Sequence, residues 1–486
     1  MTRSAAVAAG NRGTARAAVA VLRAGGNAFD AAVAAGFAAG VAEPTLSSLG
    51  GGGFLLAAPA GTEPVLFDFF VDAPGRGLQR SELDPHFVPV TLEFASTTQV
   101  FQAGWGSVAV PGCLAGYLHV HRRLGRLPLG EVVAPARQLA RRGVVLDRAQ
   151  ADLIALLAGI LTLSDEGRAL FAPSGRLVAT GDRVHNPDLA GFLGDVAEGR
   201  VRSLGDPSVA DATVRAIAEG GGLVTAADLR AYAVVERVPL RARYRGGTLA
   251  TNPPPSFGGA VVLDALTQLA SGPALDGSPP SVERLARALV AMSHRHASRA
   301  SAVRGTTHIS VVDGDGSVAT MTTSNGTCSG RFLPGTGVQL NNVMGEADLH
   351  PDGFHVTPPG IRIGSMMAPT VVTTPDGTVV GLGSGGSERI RSALTCVLSG
   401  VLDRGLSLDA AVRAPRMHWD GATLQAEPGW DEDALAAVRE DWPLHVWVGR
   451  DLYFGGAHAV ARRSDGTVCA AGDPRRGGVG LTVVLG

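Results

Sequence analysis

The sequence predicts a mixed α/β fold, and three observations carry that expectation. Short apolar, β-branched runs such as Phe54-Leu55-Leu56, Val65 to Val71 and Val318 to Thr323 alternate with long helical patterns. Gly- and Pro-rich loops punctuate them throughout. No composition shift or internal repeat marks an independent second domain, and 486 residues with 45% hydrophobic content can bury a large core.

Taken in order, Ala5 to Gly40 reads as an Ala-rich helix, a break at Gly25-Gly26-Asn27, and a second helix; the glycines suit a helix end and Asn27 an N-cap. Gly50-Gly51-Gly52-Gly53 lacks dinucleotide-loop spacing and leads into a strand, so close backbone packing is its expected role. Val65 to Val71 is a strand, and helical stretches cover about Leu127–Arg142, Gln150–Leu161 and Val209–Glu219. Asn252-Pro253-Pro254-Pro255-Ser256-Phe257-Gly258-Gly259 makes a rigid loop before a further helix. Gly381-Leu382-Gly383-Ser384-Gly385-Gly386-Ser387 follows a strand (Thr378–Val380) and opens a helix, a turn whose N–H groups can cradle an anion.

Composition excludes several classes of function. The net charge is −2 and aromatic residues are 5%, so neither a nucleic-acid nor a membrane-surface partner is expected. All 42 basic residues are Arg, which rules out P-loop, Schiff-base and Ser-Lys chemistry. Cys113, Cys328, Cys396 and Cys469 lie far apart, as free or buried thiols rather than a metal cluster or disulfide scaffold. The pairs His119/His121 and His294/His296 fall in helical stretches, where i and i+2 point to different faces. No metal or cofactor is expected. No apolar run of about 18 residues and no basic-then-apolar leader is seen, so a cytoplasmic location is the expectation.

The chemistry concentrates where a helical pattern from Val282 to about Arg304 stops at Gly305. Thr306-Thr307-His308-Ile309-Ser310-Val311-Val312 then reads as a strand, Asp313-Gly314-Asp315-Gly316 as a tight turn, and Val318 to Thr323 as the returning strand. If the Gly305–Thr306 bond is cut, Thr306 carries a hydroxyl nucleophile and a free α-amine. That amine, with a pKa of roughly 8, can take the hydroxyl proton. His308 is then a strand neighbour rather than a base.

Gly305-Thr306-Thr307-His308-Ile309-Ser310-Val311-Val312-Asp313 resembles the self-cleavage junction of γ-glutamyltransferases, which are N-terminal-nucleophile hydrolases. Similar family signatures run in order along nearly the whole chain, among them Gly25 to Val33, Leu49 to Phe54, Pro334-Gly335-Thr336-Gly337…Asn341-Asn342, Pro415-Arg416-Met417-His418 and Asp473-Pro474-Arg475-Arg476-Gly477-Gly478. The resemblance implies a four-layer αββα sandwich, with residues 1–305 as the large subunit and 306–486 as the small one. It implies Thr306 as nucleophile, Ser324 as the hydroxyl that hydrogen-bonds it, and Gly385 and Gly386 as the oxyanion hole. It also places Glu346 on the substrate's α-amino group, where the family usually has Asp.

Two positions depart from the family on one substrate group, the α-carboxylate. Aligned on Asp68 and Ala73-Pro74, the Arg that grips it becomes Phe70, and a phenyl ring cannot replace a guanidinium fork. Arg76 and Arg80 lie nearby. Of two serines that touch the carboxylate, Ser365 is kept and the second is Met366. The stretch from Asp348 to Ile361 is short, without the long lid of some relatives, which implies a more open pocket.

The implied activity is hydrolysis or transfer of a γ-glutamyl group, with water, an amino acid or a peptide as acceptor. The mature form would be a self-cleaved heterodimer, alone or paired with a second. Two alternatives stand beside it: an acylase for a glutaryl-like or apolar acyl amide, and an uncleaved homologue that binds a small ligand without catalysis.

Overall fold

The computed structural model describes residues 3–79, 81, 83–94, 97–295 and 305–485. Two antiparallel sheets stack face to face. The first has seven strands, in the spatial order Val479–Leu485, Arg3–Ala9, Gly305–Val312, Val318–Gly326, Gly52–Ala58, Val65–Phe69 and Val235–Arg237. The second has six, in the order Val468–Ala471, Gly456–Arg462, Val379–Gly385, Thr370–Thr373, Gly247–Thr251 and Leu240–Tyr244. Each sheet takes strands from both sides of the Gly305–Thr306 bond.

Side-chain alternation builds the layers. Ala5, Val7 and Ala9 join Ile309 and Val311 in a core against the helices Arg12–Arg23, Ala28–Ala42 and Cys113–Leu124. Ala6, Ala8, Phe54, Leu56 and Val312 point the other way, into a core shared with the second sheet and its helices Gly258–Ala270 and Pro279–Arg295. This is the expected αββα sandwich. The helix Ala28–Ala42 is buried almost all round, as an Ala-rich helix without a polar face must be. Asn27 caps it, accepting from Phe29 and Asp30, while Asp30 returns a bond to the Asn27 N–H.

Two expectations need correction. Ala5 to Ala9 is not the start of a helix but a central strand, and the helix begins at Arg12 behind the N-cap Asn11. Alanine favours helices, yet here a neighbour pairs on each edge and both faces are covered, so packing overrides propensity. The strand expected at Thr378–Val380 runs on to Gly385, taking in most of the glycine run. The four-glycine segment does pack closely: a methyl group on Gly51 would overlap the Ser324 carbonyl. The helix read from Val282 to about Arg304 is described as Pro279–Arg295, and its continuation lies outside the described residues. Among the described residues no helix is long and apolar enough to cross a membrane.

Candidate active site

The hairpin turn sets the register, and the register assembles the site. Val312 pairs with Val318, and seven further pairings carry the ladder back to Thr306 opposite Ser324 and Gly305 opposite Gly326, with an irregularity between Gly305 and Thr306. Ser324 in turn lies opposite Gly52 on the next strand. Thr306 Oγ1 donates to Ser324 Oγ at 3.1 Å, and Ser324 Oγ donates to the Gly305 carbonyl oxygen at 2.7 Å while accepting from Gly326 N at 3.1 Å. A hydroxyl has one proton and two lone pairs, so this serine is fully engaged. It links the candidate nucleophile to the carbonyl just before it. A proton leaving Thr306 Oγ1 can pass to Ser324 while the serine's own proton meets negative charge growing on the Gly305 oxygen.

The second sheet closes over Thr306. Gly385, the last residue of its strand, pairs with Gly456, and a methyl group on Gly385 would overlap the Thr306 carbonyl oxygen. Gly386 follows with φ 128° and turns the chain toward the helix Arg389–Leu402. The structure thus brings Thr306, Ser324 and Gly385 into contact, with Gly386 beside them. Glu346 is buried against Gly326, where an added methyl would lie 2.6 Å from its Oε1.

The residues tied to the substrate carboxylate sit differently. Phe70 is buried in the inter-sheet core, its ring stacked on Phe54 at 5.6 Å and 23°. Ser365 Oγ accepts from Met367 N at 3.1 Å within a buried loop that pairs with Ser256, and Met366 beside it is buried too. Arg76 bonds the Gly360 carbonyl, and Arg80 lies outside the described residues. The guanidinium that does reach Phe70 is Arg362, which sequence reasoning missed. Its Nη1 meets the Phe70 carbonyl, Asp68 and Tyr232, its Nη2 the Ala233 carbonyl at 2.7 Å, and its Nε lies 2.8 Å from Asp72. Both terminal nitrogens are thus hydrogen-bonded within the protein, and Nε faces Asp72 as an ion pair only. Burial raises the Asp72 carboxyl to about 6, with Arg362 opposing. The sequence separation of 294 residues between Arg362 and Asp68 left no local signal for this pairing.

Two C-terminal family signatures meet in a buried clamp. Arg416 Nη2 bonds Asp473 Oδ2 at 2.5 Å, and Arg475 spans Asp473 at 3.1 Å and Glu427 at 2.7 Å. Asp473 also accepts from Ala457 N at 2.8 Å, which ties the clamp to the strand paired with Gly385. Arg476 runs past Gly456 to lie beside Gly386. His308 is held between Thr322 at 2.8 Å and Ser310 at 2.9 Å on the inter-sheet face, and burial keeps its pKa well below the ordinary value. It is a strand residue in the polar floor under Thr306. His119 bonds Glu236 and His121 bonds the Leu127 carbonyl; His296 lies outside the described residues.

The chain is similar to known proteins along nearly its whole length. The sequence profile of the γ-glutamyltranspeptidase family matches residues 14–304 and 290–483. The chain is 29% identical to a glutathione hydrolase proenzyme of Escherichia coli K12, over 94% of this chain and 87% of that one. It is 30% identical to an acylase ACY 1 proenzyme of Pseudomonas sp. V22, over 95% and 90%. Among solved structures, a cephalosporin acylase from Bacillus halodurans superposes with a TM-score of 0.85 at 25% identity, covering 99% of this chain and 96% of that one. With its profile match spanning both sheets and the 306–324 hairpin, the chain belongs to the γ-glutamyltranspeptidase family of N-terminal-nucleophile enzymes.

Proposed function

We propose that the protein is a self-processing amidase that hydrolyses or transfers a γ-glutamyl group of the glutathione type through an acyl-enzyme on Thr306. In the precursor, Thr306 Oγ1 attacks the Gly305 carbonyl carbon, the C–N bond breaks, and the nitrogen takes a proton, leaving an ester. Water opens that ester, giving a carboxylate on Gly305 and a free amine on Thr306. The fragments 1–305 and 306–486 stay assembled as one heterodimer. In turnover the α-amine serves as base, Ser324 orients the hydroxyl, and the backbone at Gly385 and Gly386 holds the oxyanion. Glu346 takes the substrate amine, Ser365 contributes to carboxylate binding, and the acyl group passes to water, an amino acid or a peptide.

The observation that supports this most is the Ser324 hydroxyl bonded to both Thr306 Oγ1 and the Gly305 carbonyl oxygen. A denaturing gel with N-terminal sequencing, beside a Thr306→Ala control, tests it. Two fragments, the smaller starting Thr-Thr-His, against a single band in the control are expected. One full-length band in both would leave only a non-catalytic ligand-binding homologue.

A second reading, an acylase for a glutaryl-like or apolar acyl amide, is favoured by Phe70 and Met366, both buried and apolar where the family grips an α-carboxylate. Turnover of a chromogenic γ-glutamyl anilide against a glutaryl anilide, which lacks the amine, and a butyryl anilide, which lacks amine and carboxylate, separates the two. Preference for either amine-free substrate by more than about ten-fold, the worth of one lost charged contact, selects the acylase, and preference for the butyryl one reports the apolar surface at Phe70 and Met366.

A further inference from the structure

The helix-facing side of the Gly305–Val312 strand holds a buried carboxylate for which the chemistry above has no use. Glu43 lies at the C-terminal cap of the helix Ala28–Ala42 and is 2% exposed. Among the described residues no arginine pairs with it. Thr14 Oγ1 donates to its Oε1 at 2.5 Å, and Thr307 Oγ1 donates to its Oε2 at 2.6 Å. The charged group whose field reaches it is Asp147, the N-cap of the helix Arg148–Leu156, which has the same sign. The helix Arg12–Arg23 presents Thr14 and the strand presents Thr307. Burying a carboxylate without a cation is destabilising, and a neutral glutamine would fill the same volume. What the charge gains is two strong hydroxyl bonds, one of them to the residue after Thr306.

The position of that bond matters because the ladder is irregular between Gly305 and Thr306, so pairing alone does not hold the strand tightly at the scissile bond. Successive side chains of a strand point to opposite faces. An anchor on Thr307 toward the helices therefore fixes how far Thr306 is turned toward Ser324 and Gly385.

We infer that Glu43 is a positioning residue for Thr306, acting through Thr307 to set the nucleophile's orientation in self-cleavage. This rests on the proposed role of Thr306. Burial raises the Glu43 carboxyl from 4.5 to about 7. The ionised group accepts both hydroxyls, and protonation turns one oxygen into a donor that competes with them. In the uncut chain the Thr306 nitrogen is a peptide nitrogen and does not titrate, and His308 is held neutral. Asp72, raised to about 6, and hydroxide are the same in a Glu43→Gln chain, so the part of a neutral-pH rise in cleavage rate that this variant loses reports Glu43.

The test uses full-length chain from a short pulse of cell-free synthesis, shifted into buffers across neutral pH and followed on denaturing gels. Wild type is compared with Glu43→Gln, Thr307→Val and Thr307→Ser, and a thermal melt of each reports folding. Glu43→Gln and Thr307→Val are expected to cleave about ten- to a hundred-fold more slowly, the cost of a slightly misplaced reacting group, and to lose the rise near neutral pH. Thr307→Ser is expected to recover most of the rate lost in Thr307→Val. If wild type cleaves and a folded Glu43→Gln chain matches its rate and pH profile, Glu43 has no such role while Thr306 keeps its own. If Glu43→Gln fails to fold, Thr307→Val decides in the same way. Wild type that never cleaves overturns both.

Discussion

The two ends of the candidate site have diverged to different degrees. At the proposed bond-making end, Thr306, Ser324, Gly305 and Gly385 form a closed set of contacts, at positions to which the family resemblance assigns the chemistry. At the end where the family resemblance puts carboxylate binding, Phe70 lies in the inter-sheet core, Met366 is buried, and Arg362 is engaged with Asp68, Asp72 and backbone carbonyls. The contrast has a physical source. Self-cleavage needs one geometry whatever the substrate, because the chain is its own first substrate, whereas recognition of an acyl group can change by single side chains. Chemistry and specificity are therefore separable in this fold.

That separation can be broken from either side. The largest effect after loss of Thr306 itself is expected from Ser324→Ala, which removes the hydroxyl on the scissile carbonyl. Cleavage should slow by about 10²- to 10³-fold, the usual worth of one oxyanion donor, in a gel time course. A Ser324→Ala chain that cleaves at the wild-type rate would detach the serine from the chemistry. Next, Phe70→Arg restores the family residue in a place built for a ring stacked on Phe54. It should cost about 3 kcal/mol or more in denaturant melts, as an unpaired buried charge does, and bring no gain in γ-glutamyl turnover. A stable variant with raised γ-glutamyl activity would show that the two ends are still coupled. The smallest effect concerns the neutral polar floor. Burial lowers His458 from 6.5 to about 4, with His308 and His418 also held below their ordinary value. The unfolded chain then binds more protons than the native one between those limits, so stability is full above about 6.5 and falls as pH drops toward 4. His458→Gln should lessen that fall in melting temperature, and an unchanged slope would count against this account.

Much of this was legible in sequence because it is local. The Asp313-Gly314-Asp315-Gly316 turn fixes the hairpin, and counting back from it places Ser324 opposite Thr306. The Asn27 cap is likewise a local fact, and the Gly50–Gly53 run shows its need for close packing by composition although its partners, Gln339 and Ser324, are distant. What escaped is what depends on distant partners. The strand Arg3–Ala9 carries a helix-forming composition, and only its two neighbours, from residues 305–312 and 479–485, make it a strand. Gly381 to Gly385 looks like a loop, since glycine weakens a strand, but the approach of Val318 to Gly381, His308 to Gly383 and Thr306 to Gly385 requires that bareness. Glu43 sits in an unremarkable Val-Ala-Glu-Pro run, and its hydroxyl partners are 29 and 264 residues away.

The presence in each sheet of strands from both sides of the Gly305–Thr306 bond has a consequence for the life of the molecule. Strand Gly305–Val312 lies between Arg3–Ala9 and Val318–Gly326, and Gly247–Thr251 pairs with Thr370–Thr373, so the proposed cut would leave each sheet shared by two polypeptides. An uncut chain folds by a unimolecular search, whereas two fragments pulled apart would have to find each other by collision, at a rate set by concentration. The proposed cut would thus make assembly the record of a single earlier folding event, with endurance governed by how slowly the fragments come apart.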